Sequence, residues 1–124
     1  MPPTVLIVEP ESSFTEVYRH WLDDQYLIQT ARMEREALDI LNPDIDLVLL
    51  DPSPSTNDTW SLLRELNARE LEFRVIVVTA IEPDFDIIPL KLDDYLLKPV
   101  SKDELRSAVE QVLELDTYDV RRAD

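Results

Sequence analysis

The chain alternates two hydrophobic rhythms. Five short apolar runs, Thr4-Val5-Leu6-Ile7-Val8, Tyr26 to Thr30, Asp46-Leu47-Val48-Leu49-Leu50, Val75-Ile76-Val77-Val78 and Tyr95-Leu96-Leu97, are separated by stretches whose apolar residues recur at helical spacing. The first, third and fourth runs are continuous, the pattern of strands covered on both faces in a parallel sheet. Tyr26 to Thr30 is the weaker strand. Between the runs, Phe14, Val17, Tyr18, Trp21 and Leu22 fall at helical spacing after a capping-box signature of Ser13 with Glu16. Glu34 to Leu41 predicts a short helix with Ala37, Leu38 and Leu41 inward, stopped before Pro43. Thr59 to Arg69 predicts another, with Trp60, Leu63 and Leu66 on one face. A second capping box, Ser101 with Glu104, opens a helix through Leu105, Ala108, Val109, Val112 and Leu113. Strands alternating with helices of this length imply βαβ units and a parallel sheet.

The pattern fails in three places. Pro52 to Asp58 holds two prolines and a run of short polar residues, so it reads as loop. Between Thr79 and Lys98, Pro83 and Pro89 bracket only Asp84 to Ile88, enough for one helical turn or an irregular loop. Beyond Leu115 the periodicity stops, and Asp116 to Asp124 is expected to fray or to lead elsewhere. The division expected is a single domain over residues 1–115, with 116–124 a C-terminal tail or the start of a linker. A chain of 124 residues holds one sizeable core and no second one.

Charge narrows the function. Asp and Glu number 27 against 12 Lys and Arg, a formal net charge of -15. Such a surface repels a phosphate backbone and an anionic membrane, so neither nucleic acid nor membrane is an expected partner. Lysines are few beside arginines, and dense carboxylates of this kind suit a protein adapted to molar salt, where screening removes their mutual repulsion. The chain has no cysteine, which excludes disulfides, thiolate metal sites and cysteine nucleophiles, and one histidine, His20, which excludes a His-rich metal site. It has no glycine, which excludes Walker loops and dinucleotide fingerprints. No apolar run approaches about 18 residues, and no basic-then-apolar leader opens the chain, so a cytoplasmic location is expected.

Candidate chemistry sits where ligands bind open parallel sheets, outside the carboxyl ends of the strands. Four strands end in Glu9, Asp51, Thr79 and Lys98. Two carboxylates attract a hard divalent cation, and one can act as nucleophile to form an acyl phosphate. A hydroxyl and an ammonium then satisfy phosphoryl oxygens. Each residue alone has a plainer reading. Asp51 before Pro-Ser-Pro is a turn signal, Thr79 a β-branched strand end, Tyr95 a half-buried packing residue, and Lys98 a structural ion-pair partner. Trp21 and Trp60 read as packing, His20 as a helix-flank residue, and Glu65, Glu70 and Glu72 with Arg64 and Arg69 as a solvated face. The four strand ends together favour a site.

With these residues the chain resembles the receiver domains of response regulators, CheY-like partners of sensor histidine kinases. The resemblance rests on Val5-Leu6-Ile7-Val8-Glu9-Pro10-Glu11, Leu49-Leu50-Asp51, Val77-Val78-Thr79-Ala80 and Asp94-Tyr95-Leu96-Leu97-Lys98-Pro99, and covers residues 4 to 115. Thr79 to Ile88, with Asp93-Asp94-Tyr95, is similar to the shortened fourth-helix region of haloarchaeal receivers of the HalX type. The resemblance implies a flavodoxin-like three-layer α/β fold, with a five-stranded parallel sheet of order 2-1-3-4-5 and a shortened or irregular fourth helix. It implies a phosphorelay function rather than an enzyme, with Asp51 the phospho-acceptor, Thr79 and Lys98 contacting the phosphoryl group, and Tyr95 the switch. Magnesium is the implied cofactor, held by Glu9, Asp51, the backbone carbonyl of Ser53 and, as a substitute, Glu11. A sensor histidine kinase is the implied partner, with a homodimer or a downstream output domain. Lys98-Pro99 matches a peptide bond commonly cis in the family.

The chain also departs from the pattern. Pro10 stands where the second acid, a direct magnesium ligand, belongs, and Pro52, Pro54 and Thr59 replace the Met-Pro pair and later glycine that usually follow the acceptor. The alternative is therefore a degenerate pseudo-receiver, an interaction module independent of phosphorylation. A haloacid dehalogenase-like hydrolase would need a second Asp two residues after Asp51, where Ser53 stands.

Overall fold

The computed structural model describes residues 2–52, 60–69, 73–82 and 92–123, with 115–123 described as backbone alone. Its elements run β1 (Thr4–Val8), α1 (Ser12–Leu22), β2 (Leu27–Ala31), α2 (Glu34–Ile40), β3 (Leu47–Leu50), α3 (Ser61–Ala68), β4 (Arg74–Thr79), β5 (Asp94–Leu97) and α4 (Lys102–Ala123). The five strands are parallel, in the order β2-β1-β3-β4-β5. This is the flavodoxin-like arrangement expected from the sequence. The loop residues from Ser53 to Asp58 and the stretch from Asp84 to Ile88 lie outside the described residues, and so does the fourth-helix expectation.

The continuous apolar runs divide by period two between the faces of the sheet. Val5, Ile7, Leu47, Leu49, Ile76 and Val78 face one side, where Tyr18 and Leu22 of α1 and Leu105, Ala108, Val109 and Val112 of α4 cover them. Leu6, Val8, Val48, Leu50, Val75 and Val77 face the other, against Ala37 of α2 and Leu62, Leu63 and Leu66 of α3. One interior divided by the sheet into two apolar layers explains why a run such as β1, buried at every position, shows no polar alternation. At about 1.5–3 kcal/mol for each large apolar side chain buried, these layers fix where the strands end. β2 is the edge exception: its outward residues Leu27 and Gln29 are exposed, which is why its pattern is weak.

The helix ends correct three expectations. Ser101 and Glu104 form the expected reciprocal box: the Glu104 N–H donates to Ser101 Oγ at 3.1 Å, and the Ser101 N–H to Glu104 Oε1 at 3.2 Å. Ser13 and Glu16 do not. The N-cap of α1 is Glu11, with no side-chain cap bond. Helix α1 begins at Ser12 because Pro10 fixes the preceding φ and the Glu11 N–H is held by Glu9 Oε2 at 3.0 Å, so Ser13 already lies inside the first turn. Second, Trp60 precedes α3 rather than joining it. Its φ is 68°, in the left-handed region that costs a non-glycine residue about 1–2 kcal/mol, and its buried ring offsets that cost by packing into the α2–α3 core. Buried Glu34, on α2, accepts the Leu62 N–H at 3.2 Å, so the start of α3 takes a donor's partner from a neighbouring helix. Third, α4 continues as one helix to Ala123, past the point where the hydrophobic periodicity stops, so the stretch from Asp116, expected to fray or to lead elsewhere, is helical to Ala123.

Candidate functional site

The carboxyl edge of the sheet collects Glu9 after β1, Asp51 after β3, Thr79 at the end of β4 and Lys98 after β5. Backbone bonds pin the three residues that follow strands: the Glu9 N–H donates to Ala31 O at 3.0 Å, Asp51 N–H to Val8 O at 2.9 Å, and Lys98 N–H to Thr79 O at 2.8 Å. Each side chain thus leaves the sheet from a fixed point. The Lys98–Pro99 peptide is cis, as expected.

The ammonium of Lys98 joins the carboxylates. It donates to Glu9 Oε1 and to Asp51 Oδ2, each at 2.7 Å. All three side chains are shielded, with 2% of Glu9, 13% of Asp51 and 11% of Lys98 exposed. Burial pushes the Glu9 carboxyl above its ordinary range, opposed by the Lys98 ammonium and the Glu11 N–H. Burial alone would lower the Lys98 ammonium, but its bonds to Asp51 and Glu9 outweigh that and hold it above the ordinary lysine value.

Thr79 is buried at the same edge, and its Oγ1 accepts the Ile81 N–H at 3.4 Å. The carbonyl of the same Ile81 accepts the Tyr95 hydroxyl at 2.8 Å. Ile81 therefore links the hydroxyl at the site to the aromatic ring on β5 through its two backbone groups. Nothing in the sequence marks Ile81, because its contribution is peptide rather than side chain. A second unmarked neighbour is Phe14, whose ring lies 4.1 Å from Lys98 Nζ. Glu11 contributes its N–H to Glu9 and its carbonyl to the first turn of α1, while its side chain is exposed. Ser53 lies outside the described residues.

The response regulator receiver domain family matches residues 5–110. The chain belongs to this family. Receiver domains are signalling domains of two-component systems, where they work with histidine kinases and output domains. Among curated proteins, the chain is 39% identical over 110 residues to a Haloferax volcanii protein named "Putative transcriptional regulator", covering 88% of this chain and 19% of the relative. It is 31% identical over 122 residues to the alginate biosynthesis transcriptional regulatory protein AlgB of Pseudomonas putida, covering 94% of this chain and 27% of that protein. The chain thus spans about a fifth to a quarter of these relatives. Among solved structures, the signal receiver domain of an HD domain-containing protein from Pseudomonas fluorescens superposes with a TM-score of 0.82 at 25% identity, covering 95% of this chain and 99% of that one. No helix among the described residues is long and apolar enough to cross a membrane.

Receiver domains generally bind magnesium, and the donor chemistry here suits it. Glu9 and Asp51 offer hard carboxylate oxygens held beside a single ammonium, and magnesium is commonly held through one or two carboxylates, with water and phosphate oxygens completing its shell. Among the described residues no three acidic or imidazole side chains gather as a metal-binding group, and Pro10 has no side-chain ligand to add.

Proposed function

We propose that this chain is the phospho-acceptor receiver of a two-component phosphorelay, in which Asp51 takes a phosphoryl group from a sensor histidine kinase. The observation that carries the reading is the Lys98 ammonium bonded to both Asp51 and buried Glu9 at 2.7 Å. A free Asp51 Oδ attacks phosphorus, the bond from phosphorus to the imidazole nitrogen of the donor breaks, and an acyl phosphate forms. Lys98 then follows the new negative charge onto the phosphoryl oxygens. Magnesium, when bound by Glu9, Asp51 and the Ser53 carbonyl, with Glu11 as a substitute ligand, supplies charge neutralisation for that group.

The relay follows from a shared hydroxyl. Thr79 Oγ1 now accepts from the Ile81 N–H. When the hydroxyl turns to donate to a phosphoryl oxygen, the Ile81 segment is drawn with it, and the carbonyl that holds Tyr95 moves. A two-state equilibrium biased by those contacts is sufficient to change the face formed by β5 and α4.

The acidic composition and the Haloferax relative support membership of the haloarchaeal HalX-type group and a cytoplasmic location. The relatives extend well beyond the matched part, which supports an output domain as the recipient of the change; a homodimer is the other recipient. Residues 1–115 would then be the receiver, and the helix beyond them the start of a linker.

The test is intact mass after incubation with a small phosphodonor, with and without Mg²⁺, in high KCl. One Mg²⁺-dependent phosphoryl addition is expected, absent in Asp51→Asn. No addition to folded protein overturns the reading in favour of the pseudo-receiver, a module that binds partners without phosphorylation.

A further inference from the structure

The Phe14 ring is out of place on hydrophobic grounds. It sits in the first turn of α1 with 37% of its surface exposed, where a polar residue would cost less. Its face lies 4.1 Å from the Lys98 ammonium, within the range of a cation–π contact. The ring is braced by neighbours on its own helix. Phe14 stacks on Tyr18 one helical turn later, with centroids 6.0 Å apart and planes at 27°, and Tyr18 meets Trp21 at 5.9 Å. Tyr18 is buried, so the brace is anchored in the core between α1 and α4.

Lys98 has three N–H donors. Two go to Glu9 and Asp51, and the ring face is a neighbour that attracts the cation without offering a hydrogen-bond acceptor. From this we infer that Phe14 is a positioning residue for the phosphoryl transfer: it holds the Lys98 ammonium over the acid pair and keeps water from one side of it. The inference rests on the reading of Asp51 as phospho-acceptor. A packing role alone would be met by any apolar side chain of similar volume; an electrostatic one needs a π face.

The difference is measurable. In protein with ¹³C-labelled lysine, the Lys98 methylene next to the nitrogen should carry an upfield ring-current shift, assigned by loss of its signal in Lys98→Arg. Phe14→Leu should abolish that shift, and Phe14→Trp should keep one. The rate of phosphoryl addition should fall about fivefold in Phe14→Leu, equivalent to ~1 kcal/mol for a partly exposed cation–π contact, and recover in Phe14→Trp. A Lys98 signal unmoved by Phe14→Leu overturns the inference, as does a rate that is the same in the leucine and tryptophan variants. Because the resonance is read without a phosphodonor, failure of the ring contact is distinguishable from failure of the phospho-acceptor reading. If wild-type protein takes no phosphoryl group, the phospho-acceptor reading and the catalytic positioning fall together, whatever the resonance shows. If it does take one, a missing ring-current shift removes Phe14 alone.

Discussion

The two edges of the sheet use the same side chain in opposite ways. At the amino edge, Asp46 Oδ2 accepts the N–H of Thr4 at 2.8 Å, and Asp93 Oδ2 accepts the N–H of Val75 at 2.7 Å. Those carboxylates cap the starts of β1 and β4, where the first N–H groups of a strand have no partner in the ladder. At the carboxyl edge the strands present carbonyls instead, and those of Ala31, Val8 and Thr79 consume the N–H groups of Glu9, Asp51 and Lys98. Apart from the Glu11 N–H, the acids there find their partner in an ammonium. A carboxylate bonded to its own sheet is structural. One balanced only by a cation is open to exchange, because an incoming phosphoryl group or metal ion can take over the charge.

Removing the cation should be the most costly change. Lys98→Met leaves buried Glu9 beside Asp51 with no counter-charge, and should lower unfolding free energy by about 3 kcal/mol, measured by urea denaturation at neutral pH; adding Glu9→Gln should restore most of the loss. The sign with pH is set by the raised Lys98 pKa. The wild-type advantage over Lys98→Met should be complete below the ordinary lysine value of 10.5 and shrink as pH rises through the higher folded value. A loss no greater than that of an amino-edge variant would erase the contrast between edges.

Pro10→Asp sharpens the contrast from the other side. It adds a third carboxylate where the family carries one, and Mg²⁺ should bind on the order of tenfold more tightly by calorimetric titration. Equal binding by wild type would show that Glu9 and Asp51 suffice. Comparable in size is the amino edge itself: Asp93→Ala should cost about 1–2 kcal/mol of stability and leave the rate of phosphoryl addition unchanged. A slowed addition would mean the edges are coupled. The smallest test concerns helix starts. Ser101→Ala should cost about 1 kcal/mol, and Ser13→Ala only a few tenths, since only the first is a cap. Equal losses would restore the Ser13 box.

Much of the fold was legible because both faces of the central strands are buried. β1, β3 and β4 read as unbroken apolar runs, and their polar successors Glu9 and Asp51, with Thr79 at the end of β4, marked the edge. Lys98 was legible for the same reason, one residue past β5. The failures are local competitions. Ser13 and Glu16 carry the same signature as Ser101 and Glu104, but Pro10 and the Glu9–Glu11 bond moved the cap of α1 two residues back, from Ser13 to Glu11. Trp60 has the right spacing for α3, yet a chain without glycine places a tryptophan at the left-handed position before that helix.

By itself the sequence determined the layer order, the parallel sheet and the edge at which chemistry belongs, because hydrophobic period and strand-end polarity are properties of neighbouring residues. Contacts between distant segments were decided only by the tertiary structure. Lys98 meets Glu9 across 89 positions of chain, Glu34 reaches the start of α3 across 28, and Phe14 faces a lysine on the far side of the sequence. Each depends on where two elements come to rest against one sheet, and no local pattern records that distance.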